Sequence, residues 1–174
     1  KSYLKTQLEK ALENELVIIT GAISKGDSDF VAEILADLGV RKIFHGVAIK
    51  PGKPFWFGSK DKSLVFALPG NPFSSQVVFK AFVEPAIRRI KGHPMAEKIF
   101  LPLAKSRAKS GLLTEFFPVK FQNLAGQSCL TPIEHHGSGD VTAALGSSGI
   151  AIHPEAEKNL AENEKIEFLG WNLL

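Results

Sequence analysis

The 174-residue sequence predicts an α/β domain over residues 1–92, followed by a small all-β, barrel-like domain over residues 95–174. Two observations carry that expectation. First, an amphipathic helix runs straight into a short apolar segment rich in β-branched residues, the texture of an α/β unit. Second, the pattern changes at Gly92-His93-Pro94. Beyond it, long helical periodicity gives way to short strands separated by turn-rich segments.

In chain order, Leu4, Leu8, Ala11 and Leu12 stand at helical spacing and predict a helix over residues 2–14. Glu15–Thr20, ELVIIT, suits a strand buried on both faces of a parallel sheet. A helix leading at once into such a strand suggests that the chain begins inside an α/β domain. Phe30, Val31, Ile34, Leu35 and Leu38 give the next helix one apolar face over about Ser28–Leu38, with Gly39 as its stop. Asp27 or Ser28 would cap it. Lys42–Ile49 predicts a strand, and Phe55–Gly58 and Leu64–Leu68 a hairpin. Asn71-Pro72 opens a long helix, with Asn as the N-cap and Pro at the first helical position. Pro85 should kink that helix near Ala81, because it removes one backbone hydrogen bond. Past the boundary the strand candidates are Ile99–Ala104, Thr114–Gln122, Ser128–Ile133, Gly149–His153 and Lys165–Trp171.

Composition narrows the function classes. A 44% hydrophobic and 22% charged chain is ordinary for a folded protein. No run approaches the roughly 20 apolar residues of a membrane span, so no membrane partner is expected. The single Cys129 excludes an intrachain disulfide and fits a reducing cytoplasm. Residues 1–92 carry 14 Lys+Arg against 9 Asp+Glu, whereas residues 93–174 carry 7 against 9. The basic residues are dispersed, with no basic run interleaved with aromatics. That argues for a small anion rather than nucleic acid.

Three stretches are candidate sites, each with a plainer structural reading. GAISKGDSD, Gly21–Asp29, is the turn after a strand and before a helix, where open α/β sheets bind ligands. Ser24 adds a hydroxyl, and Asp27 and Asp29 could hold Mg²⁺ between protein and phosphate. The plainer reading is a turn whose aspartates cap the helix. KPGKP, Lys50–Pro54, restricts two lysines, Lys50 and Lys53, around Pro51, Gly52 and Pro54. It is either a solvated turn or an oxyanion clamp. LPGNP, Leu68–Pro72, sets a tight turn before a helix with Ser74 and Ser75 in its first turn, which favours an anion or is simply a well-made helix start. His135-His136 adjoin Gly137-Ser138-Gly139-Asp140, which reads as a turn from which Ser138 could reach a neighbouring site.

Together TGAISKGDSDF, AIKPGKPFWFG, ALPGNPFSS and the later GSGD resemble the molybdopterin molybdenumtransferases, the MoeA and gephyrin E-domain family. The usual forms in that family are TGGVSVGDYD, KPGKP, FGLPGNPVSA and GSGD. All four occur here in the family's order. The chain departs from them at Ala22, Lys25 and Ser28, and Leu113 to Pro118 lacks both arginines of the family's Arg-x-Glu-Phe-x-Arg.

The resemblance implies a three-layer αβα pterin-binding domain and a small β domain. It implies insertion of molybdate into adenylylated molybdopterin with release of AMP and a need for Mg²⁺, in a cytoplasmic protein that is a homodimer at full length. By motif, Gly21, Ser24 and Gly26 would line the pterin phosphate or nucleotide region, and Asp27 and Asp29 would act on the metal or the phosphoanhydride. Lys50 and Lys53 would hold molybdate, flanked by Gly52 and Pro54. Pro69, Gly70, Asn71, Pro72 and Ser74 would shape the pocket wall, with Ser138 reaching in from the β domain. Because the family's N-terminal regions are not in this sequence, it is expected to have little transferase activity alone. The alternatives are a MogA-type molybdopterin adenylyltransferase, a non-catalytic scaffold, and a domain that binds pterin without transfer.

Overall fold

The computed structural model describes residues 2–21, 28–124, 126–134 and 141–171, with the backbone alone at 28, 29 and 141. The first part contains α1 (Ser2–Ala11), β1 (Leu16–Thr20), α2 (Ser28–Asp37), β2 (Arg41–His45), β3 (Ile49–Lys50), β4 (Trp56–Lys60) and β5 (Ser63–Leu68). Then come α3 (Pro72–Val78), a π-helical turn (Phe79–Val83) and α4 (Glu84–Ile90). Four of the strands form a sheet in the order β1-β5-β4-β2, with β1 and β5 parallel and β4 antiparallel to both its neighbours.

Alternation along β5 divides the core. Val65 and Ala67 face Leu8 of α1, Val31, Ile34 and Leu35 of α2, and Leu38 just beyond it. Phe66 and Leu68 face the other way, onto Phe73, Val77, Val78 and Val83. Helices therefore cover both faces of the sheet, giving the three αβα layers. Where Pro85 was expected to kink the helix near Ala81, a π-helical turn interrupts the α-helical bonding and ends two residues before the proline. Within that turn Lys80 is buried, and its Nζ lies 2.7 and 2.9 Å from the two carboxylate oxygens of buried Glu84.

The second part contains β6 (Ile99–Pro102), β7 (Arg107–Ala108), β8 (Thr114–Leu124), β9 (Gln127–Pro132), α5 (Val141–Leu145), β10 (Gly149–His153), β11 (Asn159–Leu160) and β12 (Lys165–Gly170). The sheet order is β3-β8-β10-β12-β6, with β9 also on β8. A parallel bridge, Leu103 to Leu130, brings the end of β6 back to β9, and Ala104 N donates to Leu130 O at 2.9 Å. The sheet thus curls in a barrel-like way around Leu103, Phe117, Val119, Leu130, Ala151, Leu160, Ile166 and Phe168. Only that bridge closes it among the described residues.

Three expectations need correction. The segment Glu15–Thr20 is not buried on both faces: among the described residues β1 pairs only with β5, and Ile18 is exposed. Lys42–Ile49 is not one strand. It ends at His45, and after Gly46 the chain leaves the sheet, so that β3 pairs in parallel with β8, Lys50 opposite Glu115. Asn71 occupies the N-cap position of α3, but its side chain makes no cap hydrogen bond. The two parts share one hydrophobic cluster, in which Phe116, Ala144 and Ile150 pack with Ile49, Phe55 and Val78.

Candidate functional site

Gly21 of the first stretch, the LPGNP loop and the end of KPGKP lie at one end of the four-stranded sheet, where β1 and β5 finish and β4 begins. β1 and β5 are parallel with Thr20 opposite Leu68, so Gly21 and Pro69 leave the sheet side by side. β4 runs antiparallel to β5 with Trp56 opposite Ala67, so KPGKP enters at the same end of the sheet. The register of a single hairpin therefore brings LPGNP and KPGKP to the same end, and the parallel pair adds Gly21.

The first two loops touch. A Cβ on Gly70 would stand 3.1 Å from the Cα of Gly21, so any larger residue would force them apart. Pro69 and Ser74 are buried, whereas Gly70 and Pro72 are exposed. Ser75 Oγ donates to the carbonyl of Pro69, and Ser75 N donates to Asn71 O at 2.9 Å. Asn71 Oδ1 is buried and has no hydrogen-bond partner among the described residues. An unpaired buried amide oxygen is costly. Here it stands where the sequence places a pocket wall.

KPGKP is fixed by its backbone. The Lys50–Pro51 peptide is cis. Val47 N donates to Lys53 O at 3.0 Å, and Phe55 N to Gly52 O at 3.1 Å. Pro51 and Gly52 are buried; Lys53 and Pro54 are exposed. Gly52 has φ +112°, and a Cβ there would lie 2.8 Å from Val78 Cγ2. Only glycine suits that conformation and that contact. Lys50 is 59% exposed at its side chain, with Nζ 3.5 Å from Glu115 Oε1.

Behind Lys50 lies a polar cluster that the sequence did not reveal. Glu115 also receives Arg107, whose Nη2 is 3.2 Å from the same oxygen. Arg107 stacks over the Phe117 ring at 4.1 Å, and its Nη1 is 2.8 Å from His153 Nδ1. A guanidinium can only donate, so Nδ1 accepts and the neutral ring carries its proton on Nε2. His153 is fully buried, and burial holds its pKa below the ordinary 6.5. The positive charges of Arg107 and Lys109 push it the same way; the Glu157 backbone and Glu115 oppose them. Lys109 is itself buried and donates to the carbonyls of Leu113, Pro154 and Glu155. No local motif announces this cluster: Glu115 and His153 stand opposite each other through the pairing of β8 with β10, and Arg107 reaches them from β7, which pairs only with β11 among the described residues. The one signal was the glutamate of Leu113–Pro118.

Ser24, Gly26, Asp27 and Ser138 lie outside the described residues, as do Ala22, Lys25 and His135-His136. Asp29 lies in the first turn of α2, where the backbone alone is described. Among the described residues no group of three His, Cys, Asp or Glu could hold a metal ion.

Residues 1–89 match a probable molybdopterin binding domain, and residues 101–171 match the MoeA C-terminal region, domain IV. The chain belongs to the molybdopterin molybdenumtransferase family. It is 34% identical over 165 residues to a molybdopterin molybdenumtransferase from Synechocystis sp., covering 92% of this chain and 39% of that protein. It is 47% identical over 78 residues to the molybdenum cofactor synthesis protein cinnamon of Drosophila melanogaster, covering 45% of this chain and 13% of the relative. The crystal structure of a molybdopterin biosynthesis MoeA protein from Pyrococcus horikosii superposes with a TM-score of 0.77 at 31% identity, over 98% of this chain and 41% of that one. The chain thus spans about two fifths of the length of the first and third of these proteins. No helix among the described residues is long and apolar enough to cross a membrane.

Proposed function

We propose that this chain forms part of the site that inserts molybdate into adenylylated molybdopterin with release of AMP. The observation that carries the proposal is that Gly21, Pro69–Asn71 and KPGKP lie together at one end of the sheet. Lys50 and Lys53 hold the molybdate oxyanion. Their loop is fixed before any ligand arrives, so little reorganisation is needed when negative charge enters. Gly21, Ser24 and Gly26 take the pterin phosphate or the nucleotide, and the contact between Gly21 and Gly70 leaves backbone open to it. Gly52 and Pro54 keep the lysines in place. Pro69, Gly70, Asn71, Pro72 and Ser74 form the wall, and the unpaired Asn71 Oδ1 accepts from a donor on the pterin. Ser138 approaches from the β domain.

The described residues contain no metal cluster, so a Mg²⁺ would depend on Asp27 and Asp29, where it would offset phosphate charge. The same reading makes the full-length protein a cytoplasmic homodimer acting on a small-molecule substrate.

Calorimetry of sodium molybdate and of adenylylated molybdopterin against the wild type and Lys53→Ala tests the proposal. Loss of a charge-assisted hydrogen bond should weaken molybdate binding roughly tenfold while the pterin still binds. Unchanged affinity for both ligands would return KPGKP to a purely structural loop.

A further inference from the structure

Glu115 is a buried carboxylate that receives two cations of different kinds. Arg107 is mostly buried and fixed from behind by His153 and the Phe117 ring. It alone could neutralise the carboxylate. Lys50 has its side chain 59% exposed, so its contact with Glu115 leaves most of the ammonium open to solvent. An ammonium has three N–H groups. One directed at Glu115 leaves two for a ligand. The backbone register agrees, since β3 pairs with β8 with Lys50 opposite Glu115.

We infer that Glu115 is a positioning residue of the KPGKP site. It holds the Lys50 ammonium in one orientation, so that its free N–H groups face an incoming tetrahedral oxyanion. Arg107 and His153 fix the carboxylate that does so. The second part of the chain thereby acts on the oxyanion site without touching the oxyanion. The inference rests on the proposed role of Lys50 in holding molybdate.

A double-mutant cycle read by calorimetry with sodium molybdate tests it, using the wild type, Glu115→Gln, Lys50→Ala and the double variant at low ionic strength. Lys50→Ala should weaken binding about tenfold. Glu115→Gln should weaken it about two- to fivefold, the value of a partly exposed ion pair. In the Lys50→Ala background Glu115→Gln should add nothing. That coupling separates orientation of Lys50 from general damage, which would lower affinity in both backgrounds. Glu115→Asp keeps the charge but draws it back by one methylene; if Glu115→Gln does not fold, this variant should give a smaller loss, again only when Lys50 is present. An affinity unchanged by Glu115→Gln, or reduced equally in both backgrounds, overturns the inference and leaves the proposed function standing. A wild-type chain that binds no molybdate overturns both.

Discussion

KPGKP and the cluster behind it are two solutions to holding charge still. The loop does it with backbone: a glycine at positive φ and two hydrogen bonds leave Lys53 exposed on a fixed base. The cluster does it with charge: Glu115, Arg107 and His153 come from three separate strands and fix one another through side chains. Lys50 is where they meet, held by the loop at its backbone and by Glu115 at its ammonium. Backbone fixation depends on shape, so it should be indifferent to salt and pH. Side-chain fixation depends on ionisation, so it should respond to both.

The largest expected effect is on the charge side. Arg107→Met leaves Glu115 buried with only the mostly exposed Lys50 as a partner. Breaking a buried pair in this way should cost about 3 kcal/mol of folding free energy, measured by urea denaturation. Adding Glu115→Gln removes the orphaned charge and should restore much of the loss. A double variant no more stable than Arg107→Met would mean that packing over Phe117, not charge, is what Arg107 supplies.

The shape side should give a smaller effect. In Gly52→Ala the residue keeps φ near +112° and its Cβ presses on Val78 and Ile49. Strain and overpacking together should cost about 2 kcal/mol, with the same value in low and high salt. Gly111→Ala is the control: a Cβ there meets nothing within 4 Å, so stability should change by less than about 0.5 kcal/mol. A Gly52→Ala cost that varied with salt would erase the distinction between the two regions.

The same contrast explains what could be read from the sequence. KPGKP and LPGNP are contiguous, and their proline and glycine residues dictate conformation within a few positions of themselves. The αβα layering followed from the resemblance those motifs carry, and the structure shows how it is built: Val65 and Ala67 face one helical layer while Phe66 and Leu68 face the other. Arg107 and His153 were not legible. They stand 46 residues apart and meet only because β10 pairs with β8 while β7 packs nearby. The break after His45 was also hidden: Lys42–Ile49 has strand texture throughout, and only the competing pairing of β3 with β8 divides it. The Asn71 cap failed for a similar reason. Its residue type fits an N-cap, but the side chain makes no cap bond and its buried oxygen has no partner among the described residues.

The smallest effect should come from His153, and its sign follows from burial. Desolvation, reinforced by Arg107 and Lys109, holds the folded-state pKa below 6.5, so the folded ring stays neutral where the unfolded one begins to take up a proton. Below about pH 6.5 the unfolded state therefore binds more protons, and stability falls as pH drops toward the folded-state value. The slope from one such group cannot exceed about 1.4 kcal/mol per pH unit. Denaturation of the wild type and His153→Gln from pH 8 to pH 5 isolates this contribution, because other titrations are common to both proteins. The wild type should lose stability faster on acidification, while Gly52→Ala should run parallel to the wild type throughout. Equal slopes in the wild type and His153→Gln would show that the ring can charge without leaving Arg107, and that the cluster is as insensitive to pH as the loop.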